Sequence, residues 1–228
     1  MIKYVFLDLD DTILDFHKAE RNALTKTLES IGVTPTERII KRYSEINLSQ
    51  WKRLERGEIT REQVKVVRYK LLFDELNIDF DPKAATAIYE RFLGQGHWFI
   101  DGAEQMLDEL HGKYRLFVAS NGTQNVQTGR IESAGLKKYI ERFFISEQIG
   151  HNKPDIAFFD KAFSQIPDFD KQYAVIVGDS LSSDILGGKN AGIKTVWFNP
   201  HSADSEGKII PDYEISVLCE LAKLLDKM

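Results

Sequence analysis

Short apolar runs open the chain and dominate its second half, whereas the segment between them shows helical periodicity. The first run, residues 4–7, is rich in β-branched and aromatic residues, which is typical of a strand buried on both faces. Between Asp15 and about residue 95, apolar residues recur every three or four positions and no stretch alternates like a strand. We therefore predict one strand followed by an all-helical block.

Capping residues divide this block into four helices. Their predicted starts are Asp15, Thr36, Thr60 and Asp81, and Thr60 with Gln63 resembles a capping box. Their predicted ends lie near residues 31, 55, 76 and 93. The apolar stripe predicted for the third helix comprises Val64, Val67, Leu71, Leu72 and Leu76.

From Gly102 onward, apolar runs alternate with helical patterns. The remaining strands are predicted at 116–119, 143–146, 174–177 and 195–198, and the helices at 103–110, up to 135, 155–163, 184–191 and 217–225. Strands that alternate with helices indicate βαβ units, a parallel sheet and right-handed crossovers. The predicted fold class is therefore α/β.

Polar side chains that can carry chemistry follow several predicted strands. They are Asp8, Asp10, Ser120, Asn121, Asp179 and Asp184, and Lys153 lies in a loop between a strand and a helix. Parallel strands bring these ends to one edge of the sheet, where ligands bind in open α/β folds. Three acids within residues 8–11 repel one another, and a hard cation such as Mg²⁺ would hold them together. An acidic turn with an Asp capping the next helix is the alternative interpretation.

Composition narrows the classes of partner. The 228 residues carry a net charge of −5, which argues against a nucleic-acid polymer as ligand. No apolar stretch approaches the ~20 residues that span a bilayer, and the N-terminus does not resemble a signal peptide. Cys219 is the single cysteine, so neither a disulfide framework nor a cysteine metal site is expected. We expect a cytoplasmic protein without a membrane partner, as a monomer or weak homodimer.

The polar residues form four motifs that resemble those of the haloacid dehalogenase-like (HAD) hydrolases. In chain order they are Asp8-Leu9-Asp10-Asp11-Thr12, Ser120, Lys153-Pro154, and Gly178-Asp179 with Asp184. The resemblance covers the whole chain. It implies a Rossmann-like, doubly wound parallel sheet as catalytic core, formed by residues 1–14 and 97–228. It also implies that residues 15–96 are a helical cap of the C1 type, with hinges near residues 14–16 and 94–98.

The same resemblance implies a phosphatase reaction. Asp8 would attack phosphorus and form an aspartyl-phosphate, and Asp10 would protonate the leaving oxygen and then deprotonate water. Mg²⁺ would be held by Asp8, the Asp10 backbone carbonyl and Asp179. Asp184 would bind the ion through water or orient its ligands, although it could also be only the N-cap of its helix.

Four further residues would contact the phosphoryl group by resemblance. Thr12 and Ser120 would hold its oxygens together with nearby backbone amides. Asn121 could add a donor on the phosphate side. Lys153 would supply a positive charge for the phosphate and balance the carboxylates.

Residues near Asp184 and the stretch from Trp51 to Thr60 resemble the pyrimidine 5′-nucleotidase branch of the family. A small phosphate monoester, here a pyrimidine nucleoside monophosphate, is then the expected substrate. Asn47, Trp51 and Arg68 are the candidates for contact with the base, unless Trp51 belongs to the cap core and the arginine is solvated. Sugar-phosphate, N-acylneuraminate-9-phosphate or phosphoglycolate phosphatases remain alternatives, as does a non-catalytic ligand-binding module of the same fold.

Overall fold

The computed structural model of the protein describes residues 1–205 and 207–228. A six-stranded parallel sheet forms its centre, in the order β3-β2-β1-β4-β5-β6. The strands are β1 Tyr4–Leu7, β2 Arg115–Ser120, β3 Arg142–Ile145, β4 Ala174–Gly178, β5 Lys194–Phe198 and β6 Tyr213–Ile215. The order reverses direction beside β1, so the predicted α/β class and doubly wound parallel sheet are confirmed.

Alternating side chains of the strands build two apolar layers. On one face, Val5 and Leu7 of β1 pack with apolar residues of helices 103–110 and 221–225. On the other face, Tyr4 and Phe6 pack with a layer that includes the helix at 156–163. Phe6 pairs in register with Phe117 on β2, and their ring centroids lie 5.1 Å apart. Burial on both faces explains why these strands are continuous apolar runs.

The helical block contains α1 Phe16–Ser30, α2 Glu37–Glu55, α3 Arg61–Leu76 and α4 Pro82–Leu93. Asp15, Thr36, Thr60 and Asp81 cap them as predicted, and the Thr60–Gln63 capping box is formed. The stripe predicted on α3 is wrong in part. Leu71 is 38% exposed, because Tyr69 and Phe73 instead fill the interior that α3 shares with its neighbours.

The core helices are α5 Ala103–Leu110, α6 Gln124–Ser133, α7 Ser146–Ile149, α8 Ile156–Phe163, α9 Leu186–Ala191 and α10 Leu221–Leu225. A helix is predicted to begin at Asp184. In the structure the helical segment begins earlier, with a π-helical turn at Leu181–Ile185 that leads directly into α9. Strand β6 was not predicted, since it has three residues and lies at the sheet edge. No helix among the described residues has the length and apolar character needed to cross a bilayer.

Two adjacent chain segments connect the helical block to the sheet. Asp15 N donates to the Trp98 carbonyl at 2.8 Å, and Ile100 N donates to the Ile13 carbonyl at 3.0 Å. Gly96 lies in the returning segment, where an added Cβ would come within 2.7 Å of the Ala19 Cβ. This close approach to α1 requires glycine and brings the two segments together at the predicted hinge positions.

Candidate active site

A cavity of about 500 Å³ lies between the carboxyl edge of the sheet and the helical block. Its sheet side includes Asp8, Asp10, Asn121, Lys153, Asp179 and Asp184, and its helical side includes Glu20, Asn47, Trp51 and Arg68. The volume is in the range of pockets that enclose small-molecule ligands. The cavity therefore unites the polar strand ends with the polar residues of the helices.

Three carboxylates meet at the sheet side. Asp8 follows β1 and Asp179 follows the adjacent β4, so parallel pairing places them side by side. One carboxylate oxygen of each of Asp8, Asp179 and Asp184 lies within 4.8 Å of the other two. The Asp8 amide donates to the Val177 carbonyl at 2.9 Å, and the Asp179 carbonyl accepts from Trp197 Nε1 at 2.8 Å, which fixes both backbones.

The electrostatics of this group favour a bound cation. Burial raises the pKa of Asp8 to about 8, and the neighbouring Asp184 and Asp10 add to the rise while Lys153 opposes it. Burial, Asp184 and Asp8 also raise the pKa of Asp179 well above its ordinary value. The negative charge is therefore not fully balanced by the protein. An all-oxygen ligand set with excess negative charge fits a hard divalent cation such as Mg²⁺.

Lys153 balances part of this charge. Its ammonium donates to Asp8 Oδ1 at 2.7 Å, to Asp184 Oδ1 at 2.5 Å and to the Ala119 carbonyl at 2.5 Å. Burial works against the charged form, but Asp184 and Asp8 outweigh it and raise the pKa of Lys153. The predicted balancing of carboxylates is thus visible. All three N–H groups are engaged, so in this arrangement none remains for a phosphate oxygen.

Asn121 makes hydrogen bonds within the protein, and its predicted contact with the phosphate remains a prediction. Its Nδ2 donates to the Lys153 carbonyl at 2.9 Å and to Ser183 Oγ at 3.2 Å, while its Oδ1 accepts from the Lys153 amide at 2.8 Å. Both amide hydrogens are therefore used within the protein. The side chain holds the loop of Lys153 against the turn after β4.

Asp184 is not an N-cap, and that alternative is wrong. Ser180 caps the π-helical turn, and Asp184 lies inside it with Oδ2 accepting from the Ser180 amide at 3.1 Å. An added Cβ on Gly178 would lie only 2.2 Å from Asp184 Oδ2. The glycine of the fourth motif is therefore needed to let this carboxylate reach Lys153.

Two residues that the sequence analysis missed hold Asp10. Gln127 Nε2 donates to Asp10 Oδ2 at 2.7 Å, and Arg130 Nη1 donates to Asp10 Oδ1. Arg130 is fully buried and also donates from Nε to the Gly96 carbonyl at 2.9 Å. Gln127 and Arg130 are three residues apart on α6, so they share a face, and this polar pair next to the Ser120 motif was the available signal.

Thr12 and Ser120 are both buried, at 0% and 1% exposure, and neither is among the residues that line the cavity. Ser120 Oγ accepts from Gln127 Nε2 at 2.8 Å and from the Gly122 amide at 3.2 Å. Thr12 Oγ1 has no hydrogen-bond partner within the described part of the chain. Their predicted contacts with phosphate remain predictions.

On the helical side, the three candidate residues lie together but differ in exposure. Asn47 and Arg68 are buried, and Arg68 Nη1 donates to Asn47 Oδ1 at 3.0 Å. The Arg68 guanidinium lies 4.7 Å from the Tyr89 ring centroid, so the solvated alternative is wrong. Trp51 is half-buried and lines the cavity, which leaves part of its surface available to a ligand.

Comparisons with known proteins agree with this geometry. Residues 5–198 match the haloacid dehalogenase-like hydrolase family. The chain is 38% identical to the pyrimidine 5′-nucleotidase PynA of Streptococcus pneumoniae over 99% of its length and 95% of the relative. It is 30% identical to the pyrimidine 5′-nucleotidase YjjG of Escherichia coli over 98% of each chain.

A solved structure extends the similarity to three dimensions. YfnB of Bacillus subtilis, crystallised with magnesium, matches with a TM-score of 0.94 and 36% identity over 99% of both chains. Its crystal form reveals interdomain movement. The extent of the sequence match, the topology and the arrangement of the four motifs agree, and the chain belongs to the haloacid dehalogenase-like hydrolase family.

Proposed function

We propose that the protein is a Mg²⁺-dependent phosphomonoester hydrolase that acts on pyrimidine nucleoside 5′-monophosphates. The observation that carries this proposal is the cavity itself, which joins the Asp8–Asp179–Asp184 cluster to a wall with Trp51 and buried polar side chains. The similarity of the chain to the pyrimidine 5′-nucleotidases PynA and YjjG supports the choice of a pyrimidine nucleotide as substrate. Residues 15–96 are assigned as the cap, and residues 1–14 with 97–228 as the catalytic core.

Asp8 is assigned as the nucleophile. Lys153 holds its Oδ1, and the carboxylate attacks phosphorus and forms the aspartyl-phosphate. The lysine and Asp184 keep the carboxylate in place beside the ion site. Hydrolysis of the intermediate by water then regenerates Asp8.

Asp10 is assigned as the acid and base. It gives a proton to the leaving oxygen of the nucleoside and later takes one from the attacking water. Gln127 and Arg130 each hold one of its oxygens, which limits the rotation of the carboxylate. A fixed orientation is what general acid–base catalysis requires.

The metal ligands are assigned as Asp8, Asp179 and the Asp10 backbone carbonyl, with Asp184 orienting the cluster through Lys153. The fit rests on the oxygen-only cluster and on the raised pKa values of Asp8 and Asp179. When bound, Mg²⁺ neutralises charge on the phosphoryl group.

A panel of substrates tests the proposal. We expect kcat/KM for dTMP and UMP to exceed those for AMP, a hexose phosphate and phosphoglycolate. A tenfold or larger advantage for either of the last two would reject the nucleotide assignment. Trp51→Ala should narrow the preference for pyrimidines, because a flat base loses its stacking partner.

A second measurement addresses the non-catalytic alternative. Hydrolysis of p-nitrophenyl phosphate with and without Mg²⁺ reports phosphatase chemistry regardless of the natural substrate. Asp8→Asn is the matched control, since it keeps the shape of the side chain. Absence of Mg²⁺-dependent turnover in the wild-type protein would favour the binding module.

A further inference from the structure

A buried carboxylate on the helical wall has no role in the phosphatase chemistry described above. Glu20, on α1, is 2% exposed and lines the cavity. Its Oε1 accepts from Asn47 Nδ2 at 2.7 Å, and its Oε2 accepts from the Ser44 hydroxyl. Each oxygen thus has one protein donor and keeps further acceptor capacity, because a carboxylate offers about four lone-pair sites.

A buried guanidinium lies on the far side of Asn47. Arg68 is 3% exposed, lines the same cavity and donates from Nη1 to Asn47 Oδ1. Its Nε has no hydrogen-bond partner among the described residues. The carboxylate on one side and the guanidinium on the other fix the orientation of the Asn47 amide, because the carboxylate can only accept from Nδ2 and the guanidinium can only donate to Oδ1.

Neither charge is paired directly. Within residues 1–205 and 207–228, no ion pair within 4.0 Å includes Glu20 or Arg68. Burying unpaired charges is unfavourable unless hydrogen bonds compensate for lost water. Asn47 lies between the two side chains and keeps them from pairing with each other. Both therefore keep hydrogen-bonding capacity for a ligand in the cavity.

The pair defines the chemistry of that ligand. Glu20 can only accept, so the group facing it must carry an N–H or O–H. Arg68 can only donate, so the adjacent group must be an acceptor such as a carbonyl oxygen. The N3–H of uracil or thymine and a neighbouring ring carbonyl present this order of donor and acceptor on one rigid edge.

We propose that Glu20, with Arg68 beside it and Asn47 as the positioning residue between them, binds the N3–H and an adjacent carbonyl of a uracil or thymine nucleotide. The inference rests on the proposed function and names the groups of the substrate that the helical wall recognises. Asn47 is thereby a spacer that holds the two charges, and the direct contact with the base belongs to Glu20.

Methylation of the substrate tests this contact. UMP and 3-methyluridine 5′-monophosphate differ only at N3, where a methyl group replaces the hydrogen, so their ratio of kcat/KM reports on the contact made at that position of the base. We expect the wild-type protein to prefer UMP by about 10- to 100-fold, because methylation removes the donor on the base and places a methyl group against a buried carboxylate. In Glu20→Ala the ratio should fall to about one, and in Glu20→Gln it should be intermediate.

Glu29→Ala is the matched control, since Glu29 is an exposed carboxylate on the same helix and should leave the ratio unchanged. If wild type hydrolyses both nucleotides equally, or if Glu20→Ala and Glu20→Gln keep the wild-type ratio, the inference is overturned while the nucleotidase assignment stands. If Glu20→Ala does not fold, the wild-type ratio and Glu20→Gln still decide. A protein that hydrolyses sugar phosphates and no nucleotide overturns the proposed function and, with it, the inference.

Discussion

The two sides of the cavity are built in different ways. On the sheet side, Asp8, Asp179 and Ser120 lie at the ends of strands, and hydrogen bonds between adjacent parallel strands fix their backbones. On the helical side, Glu20 and Arg68 come from different helices and lie on either side of Asn47 only because α1, α2 and α3 pack together. We propose that the first arrangement supplies the chemistry and the second the choice of substrate.

The difference has a physical basis. A phosphoryl group needs the same charge balance whatever the substrate, so Lys153 and the carboxylates lie in one rigid cluster. A recognition surface has to match one ligand, and residues on packed helices can be exchanged without disturbing the sheet. Variants on the two sides should therefore lose different kinetic parameters, and the following predictions are ordered by the size of that loss.

The largest effect is expected for Asp8→Asn. The amide keeps the shape but cannot attack phosphorus, so kcat should fall by about 10³-fold or more on every substrate. The measurement is turnover of UMP and p-nitrophenyl phosphate, with circular dichroism to confirm folding. Turnover near the wild-type level would show that another residue is the nucleophile.

Removal of the metal should have a comparable but reversible effect. EDTA should lower turnover by at least about 10³-fold, because the charge of the phosphoryl group is then not neutralised. Added Mg²⁺ should restore it. Ca²⁺ should restore little, because it takes more ligands at longer distances. Full activity in EDTA would contradict the assignment of Asp8 and Asp179 as metal ligands.

Asp10→Asn should separate substrates by leaving group. Loss of the general acid should lower turnover of UMP by about 10²- to 10⁴-fold, since its alkoxide leaves poorly without a proton. p-Nitrophenolate needs less help, so its release should fall by about tenfold or less in the phosphorylation step. Single-turnover measurements distinguish that step from hydrolysis of the intermediate. Equal losses on both substrates would argue against Asp10 as the acid.

The sequence was sufficient for much of the sheet side because its motifs are local. A short apolar run followed by Asp-x-Asp identifies both the strand and the polar residues at its end, as at Asp8 and Asp10. The same logic missed Gln127 and Arg130, because their contacts depend on how α6 lies against the returning segment at Gly96. Sequence spacing shows which face of a helix residues share but not what that face contacts.

The helical side was less predictable for the same reason. Asn47, Trp51 and Arg68 were selected as candidates by residue type, and all three line the cavity. Glu20 was overlooked, since a carboxylate on an amphipathic helix is ordinarily solvated and only the packing of α1 against α2 buries it. Leu71 was misplaced in the opposite direction, because periodicity does not reveal where a neighbouring helix ends its contact.

Arg130 tests whether a residue that only orients Asp10 affects the chemistry of the sheet side. Arg130→Met removes the donors to Asp10 and to the Gly96 carbonyl, so the carboxylate should lose its fixed orientation. We expect turnover of UMP to fall by about 10- to 100-fold, with a smaller loss on p-nitrophenyl phosphate. Arg130→Lys should recover part of the loss, because a charge remains without the planar fork.

The same substitution at Arg142 is the control. Arg142 lies on β3 and its side chain is bonded to Gln165 at the surface, so Arg142→Met should leave both activities near wild type. If Arg130→Met lowers the turnover of both substrates by the same factor and Arg130→Lys recovers none of that turnover, the arginine has only a structural role.

The smallest and most selective effect is expected for Asn47→Leu. Leucine is similar in size but can neither donate to Glu20 nor accept from Arg68, so the spacing of the two charges should be lost. We expect KM for UMP to rise by about tenfold. KM for p-nitrophenyl phosphate, which has no N–H edge to recognise, should rise by about twofold or less. The free energy of unfolding should fall by about 1–3 kcal/mol, because buried charged groups lose hydrogen bonds. Thermal unfolding measures this change in stability, and Asn125→Leu, at an exposed position on α6, is the control for the substitution itself.

A parallel fall in kcat for both substrates would show that the helical wall also positions the phosphoryl group. The division between a sheet side that supplies the chemistry and a helical side that selects the substrate would then fail.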